Sequence, residues 1–181
     1  MRPNTVHPRD IGRYFLLLTA VFLTLPSGTG FCGARLLGTA APGFTVKSVA
    51  GEDLSRDALR VDGNVVVITF WGMRCAACIE EMAALNGLAP RLAGKKVRIL
   101  EFNTDGLNAK ELADAMKENG VVSRFTVVPD PDFKVMEAYK LEAAPLTYIV
   151  GKDGVVSYEH LGFKPGDEIV LERLIDKALA Q

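Results

Sequence analysis

The stretch WGMRCAACIEEM, residues 71–82, decides how this chain is read. Two thiols, Cys75 and Cys78, stand three residues apart. They follow the run VVVITF (65–70) and precede residues rich in Ala, Glu, Met and Leu. The β-branched run suits a strand buried on both faces, and residues 76–93 suit a helix. Cys75 then falls at a helix N-terminus, where unpaired N–H groups and the helix dipole favour an anion. An ordinary thiol, with a pKa of about 8.5, is only about 3% thiolate at pH 7. The dipole contributes about 0.3–1 kcal/mol, which is less than one pKa unit. A second thiol one turn later supplies the further hydrogen bond. On this spacing Cys75 attacks and Cys78 resolves the mixed disulfide.

Other uses of a thiol pair fit less well. Zinc needs two more ligands, commonly a second Cys pair or a His pair, and the histidines are His7 and a solitary His160. A structural crosslink over so short a span closes a very small loop. Three cysteines in 181 residues are too few for a disulfide scaffold. Redox exchange is therefore the expected use, with a metal expected nowhere.

Working outward, 49% hydrophobic and 24% charged residues describe a globular chain with one core. A formal net charge of −1 gives no reason to expect nucleic acid as a partner. At the N-terminus, Arg2, Arg9 and Arg13 precede the apolar run Tyr14 to Leu25, which Pro26 ends. That run is shorter than the roughly 20 residues needed to span a bilayer. Residues 1–34 thus read as a secretory signal peptide, with an N-terminal membrane anchor as the alternative. Cleavage sites fall before Phe31 or Arg35, and Cys32 would be discarded with the signal. Residues 35–43 read as a linker and 44–181 as the folded domain, placed outside the cytoplasm.

Within the domain, Phe44 to Val49, Val97 to Phe102 and Phe125 to Val128 read as further strands. Helical patterns occupy 108–119, closed by Gly120, and 132–139. Leu146 to Val150 and Val155 to Glu159 flank Gly151-Lys152-Asp153-Gly154, a hairpin signal. A last helix over 167–179 carries Ile169, Leu171, Leu174, Ile175 and Leu179 as its apolar stripe. Strand–helix alternation ending in a hairpin and a helix predicts a mixed sheet in an α/β sandwich. No glycine-rich phosphate loop appears, so no organic cofactor is expected.

TFWGMRCAAC after a buried strand, with Ala144-Pro145 before a late one, resembles the thioredoxin superfamily. Within it the chain is similar to the TlpA/ResA-like extracytoplasmic thiol-disulfide oxidoreductases. APGF (41–44), FTVVPD (125–130) with Tyr139, and YIVGKDGVV (148–156) carry that resemblance through the rest of the domain. It implies a thioredoxin-like sandwich with helices flanking a mixed sheet, plus the central insertion of that family. It also implies that Pro145 is cis and faces the dithiol, freeing the Ala144 backbone to pair with an extended substrate strand. Trp71 matches the tryptophan that shields the dithiol. Glu81 matches an acidic residue near it, where a carboxylate can move protons or raise a thiol pKa. Glu80 beside Glu81 is the competing carboxylate. Arg74 reads as a solvated charge, and His160 is assigned no role.

The resemblance further implies an enzyme that reduces protein disulfides, kept reduced by a membrane electron donor, with clients such as apocytochrome c in cytochrome c maturation. There are departures. Ala76-Ala77 stand where many relatives have Pro before the second cysteine, Thr69 stands where thioredoxin has a buried aspartate, and Leu146 separates Pro145 from Thr147. Two rivals remain at this point. A peroxiredoxin-like peroxide reductase usually shows PxxxTxxC, but Ile68 and Gly72 occupy those positions here. A non-catalytic thioredoxin-like module would bind clients without exchanging thiols.

Overall fold

Val65–Trp71 forms the central strand of a five-stranded sheet, and all seven of its side chains are buried. The computed structural model describes residues 36–181. In chain order its elements are β1 (Thr45–Lys47), β2 (Asp53–Ser55), α1 (Arg56–Val61), β3 (Val65–Trp71), α2 (Ala76–Leu92) and β4 (Val97–Asn103). These are followed by α3 (Ala109–Glu118), β5 (Thr126–Pro129), α4 (Lys134–Ala138), β6 (Leu146–Val150), β7 (Val156–Leu161) and α5 (Asp167–Leu179). The main sheet runs β5-β4-β3-β6-β7, with β1 and β2 as a separate antiparallel pair. β3, β4 and β5 are parallel, β6 runs antiparallel to them, and β7, antiparallel to β6, returns to their direction. The fold is the expected thioredoxin-like α/β sandwich with a mixed sheet.

β3 alternates between two buried faces, so its side chains are apolar except Thr69. Val66, Ile68 and Phe70 face one core with Phe102, Tyr139 and Tyr148, closed by α1, α4 and the chain before β1. Val65 and Val67 face the other layer, against Leu85 and Leu88 of α2 and Leu171 and Ile175 of α5. Farther along that layer, Trp71 packs with Cys78 and Met82 of α2, Leu112 of α3 and Val127 of β5. Between these two apolar clusters lie the polar side chains of the site.

Three readings need correction. Residues 36–43 are not a free linker: Leu36 and Ala41 are buried. Gly38 N donates to Val156 O, Val156 N to Thr39 O, and Ala41 N to Gly154 O, so this segment docks on the start of β7. Small residues there let two backbones approach closely. Second, Ile169 is 47% exposed and outside the buried stripe, which is Leu171, Ile175 and Ala178. At 3.6 residues per turn, position 169 lies on the face opposite 171. Third, α1 had no apolar periodicity to announce it: only Leu59 is buried, and Ser55 caps it by accepting from Ala58 N. The signal or anchor expected over residues 1–34 lies outside the described residues.

Candidate active site

β3 ends at Trp71 and α2 starts at Ala76, so the intervening turn places Cys75 as the N-cap residue of α2. Its Sγ accepts from the backbone N–H of Cys78 at 3.2 Å, using one of the helix's orphan donors. Cys75 and Cys78 are joined as a disulfide, S–S 2.02 Å. Cys75 is partly accessible while Cys78 is buried, so an incoming thiolate or client sulfur meets Cys75 first. The turn itself is held from β4: Asp105 Oδ2 accepts from Met73 N and from Asn103 Nδ2, each at 2.8 Å.

The Ala144–Pro145 peptide is cis and opens β6. Ala144 O lies 3.6 Å from Cys75 Sγ, so this segment faces the exposed sulfur directly. In the disulfide that sulfur has no proton to donate, and the approach is a contact rather than a hydrogen bond. Trp71 is buried against Cys78, and its Nε1 donates to Glu101 O at 3.3 Å. Arg74 is exposed.

Burial separates the two competing carboxylates. Glu80 is exposed, whereas Glu81 is only 4% exposed and shares the buried face of α2 with Cys78, one turn away. Thr69 Oγ1 lies 2.7 Å from Glu81 Oε2, Thr147 Oγ1 lies 2.7 Å from Glu81 Oε1, and the two hydroxyls are 3.0 Å apart. Both hydroxyls donate to the carboxyl group, and the Thr147 hydroxyl also lies within reach of Thr69. Burial pushes the Glu81 pKa up, and the hydrogen bonds from Thr69 and Thr147 and the nearby His160 only partly offset it.

His160, assigned nothing from sequence, pairs with Thr147 in the β6–β7 register, and its Nε2 lies 3.2 Å from Asp167 Oδ2. Glu81, Thr147, Tyr158, His160 and Asp167 line one narrow crevice. Since His160 and Asp167 are partly exposed, this crevice leads from the buried carboxyl toward solvent.

A second buried carboxylate was missed. Glu101 of β4 has no exposed surface, and among the described residues neither of its carboxylate oxygens has a hydrogen-bond partner. Burial raises its pKa to about 7, against a weak opposing influence from the Ser123 hydroxyl and with Glu81 adding to the rise. The sequence did carry a signal, an acid inside the apolar strand VRILEF.

The sequence profile of the AhpC/TSA family matches residues 37–159. The chain belongs to the AhpC/TSA family. The chain is similar to Thiol-disulfide oxidoreductase ResA of Bacillus anthracis. They are 29% identical over 135 residues, 74% of each chain. It is also similar to Thiol:disulfide interchange protein DsbE of Xylella fastidiosa, 29% identical over 129 residues, covering 71% of this chain and 63% of that one. Among solved structures, a Chlorobium tepidum protein described as a thiol:disulfide interchange protein DsbE aligns with a TM-score of 0.69 at 25% identity. That alignment covers 79% of this chain and 97% of the other. With the Cys75–Cys78 disulfide at the N-terminus of α2, this AhpC/TSA member is a thiol-disulfide oxidoreductase of the ResA/DsbE type.

Proposed function

We propose that the protein works outside the cytoplasm as a reductant of protein disulfides, with apocytochrome c among its clients. The observation that carries the chemistry is the partly accessible Cys75 set between the α2 N-terminus and Ala144, with the buried Glu81 carboxyl behind Cys78. In the reduced state the Cys75 thiolate attacks a client disulfide held in extended form along Ala144, with Pro145 withholding a competing N–H. Cys78 then attacks Cys75 Sγ, releasing the client as a dithiol and restoring the disulfide. Re-reduction by a membrane dithiol donor breaks the bond at Cys75, and Glu81 supplies the proton for the departing Cys78 thiolate. That proton returns to Glu81 along the His160–Asp167 crevice.

Similarity to ResA supports the reducing direction, and the basic-then-apolar N-terminal sequence supports the location. The deciding measurement is the reduction potential of the full chain equilibrated with glutathione. A value near or below about −220 mV is expected of a reductant. A value near about −120 mV would reverse the direction and make the protein a disulfide donor.

A further inference from the structure

A carboxyl group with no exposed surface and no partner for either oxygen calls for a physical reason, because each such unsatisfied group costs about 1–3 kcal/mol. Glu101 sits in the layer that holds the disulfide. Its Cα pairs with Thr69 on β3 and with Val127 on β5, and its carbonyl takes the Trp71 indole N–H. Thr69 and Glu101 are neighbours on parallel strands, so their side chains leave the same face of the sheet. Thr69 in turn donates to Glu81. Thr69 therefore stands between Glu101 and Glu81 on this face of the sheet, and Trp71 and Val127 beside Glu101 belong to the apolar cluster that contains Cys78.

We propose that Glu101 is a redox-linked proton store: when the Cys75–Cys78 disulfide is reduced, the Glu101 carboxylate takes up a proton and thereby sets the pH dependence of the couple. The inference rests on the dithiol reading of the site. Reduction leaves a thiolate on Cys75, and a new negative charge over a low-dielectric layer raises the affinity of buried carboxylates for protons. The balance is complete. A dithiol reductant gives up two electrons and two protons as it becomes a disulfide. The electrons cleave the Cys75–Cys78 bond, one proton ends on the Cys78 sulfur by way of Glu81, and the other ends on Glu101.

The groups facing this carboxyl are few. Glu81 approaches from α2, the Ser123 hydroxyl from the segment before β5, and Thr69 from β3. Glu81 itself feels His160 of β7 and Asp167 of α5. In the disulfide form Glu101 titrates at about 7, so the store operates around neutral pH. Glu101 touches neither sulfur and acts through Glu81 and the field of the thiolate, which makes it a positioning residue.

The test is the reduction potential of the full chain and of Glu101→Gln, measured across neutral pH against a small-molecule dithiol. A proton linked to a two-electron couple changes the equilibrium constant up to tenfold per pH unit, about 30 mV. The wild type is expected to show up to that much extra slope near pH 7, and Glu101→Gln to lack it. Equal slopes overturn the proposal. Should the variant not fold, the wild type alone decides it by redox-difference infrared spectroscopy. Reduction at about pH 8 should add a protonated-carboxyl band that is missing from the same difference at about pH 5. No such band overturns it. Because a small dithiol replaces the client, failure to reduce client proteins would refute the proposed function and leave this result standing.

Discussion

Replacing Glu101 with Gln should leave stability little changed at acid pH and raise it at alkaline pH. In the disulfide form Glu101 has no partner and no exposed surface, and burial lifts its pKa from 4.5 to about 7. The folded state therefore holds its proton more tightly than the unfolded state does. Stability from this group is fully present below about pH 4.5 and declines as pH rises to about 7, after which it is constant. At 1.36 kcal/mol per pKa unit, the wild type loses about 3 kcal/mol over that interval through this group alone. Glutamine keeps the volume and never ionises. Near pH 5 the two oxidised proteins should unfold at similar denaturant concentrations. Near pH 8 the variant should be the more stable by about 3 kcal/mol. Urea unfolding of the full chain at both pH values, without reductant, reads this directly. If the difference between variant and wild type is the same at both, Glu101 does not titrate in the core and the reasoning fails.

Two further outcomes follow from the site. Cys78→Ser should trap a covalent adduct through Cys75 when exposed to a disulfide-bonded protein, visible by mass without reductant, whereas Cys75→Ser should form none; an adduct through Cys78 would reverse the assigned roles. Thr147→Val removes the donor to Glu81 Oε1, leaves that oxygen without a partner and should cost about 1–3 kcal/mol in unfolding free energy. Because Thr147 favours the carboxylate, its loss should also move the Glu81 titration further up, read as a shift to higher pH in the exchange-rate profile.

What could be read in the sequence follows from the kind of signal each feature leaves. β3 announced itself because a strand buried on both faces must be apolar along most of its length, and the Gly151–Gly154 turn marked the β6–β7 hairpin through its residue types. The position of Cys75 at the N-terminus of α2 followed from strand and helix patterns meeting at residue 75. α1 was silent because six residues with one buried leucine make no period. The polar cluster was silent for another reason. Thr69, Glu81 and Thr147 are separated by 12 and 66 residues, and they meet through the antiparallel pairing of β3 with β6 and the buried face of α2. The choice between Glu80 and Glu81 depended on which side of α2 faces the sheet. Resemblance pointed to Glu81, and burial shows it inside. Glu101 was visible as an acid in an apolar strand, but an acid at such a place reads equally well as an edge residue until the strand order is known.

The docking of residues 36–41 on β7 bears on how this molecule avoids its own clients. Proteins awaiting disulfide reduction are extended and ready to pair with any open strand. The sheet leaves little on offer at its borders. Backbone groups of Gly38, Thr39 and Ala41 occupy the beginning of β7 and the turn before it. At the opposite border Val49 N donates to Val127 O, and Pro129 ends β5 without a donor of its own. Strand pairing with a visitor is thereby steered away from the rims, where it would only glue molecules together. On the proposed function, strand pairing belongs beside Cys75, along Ala144, where it leads to a bond being broken.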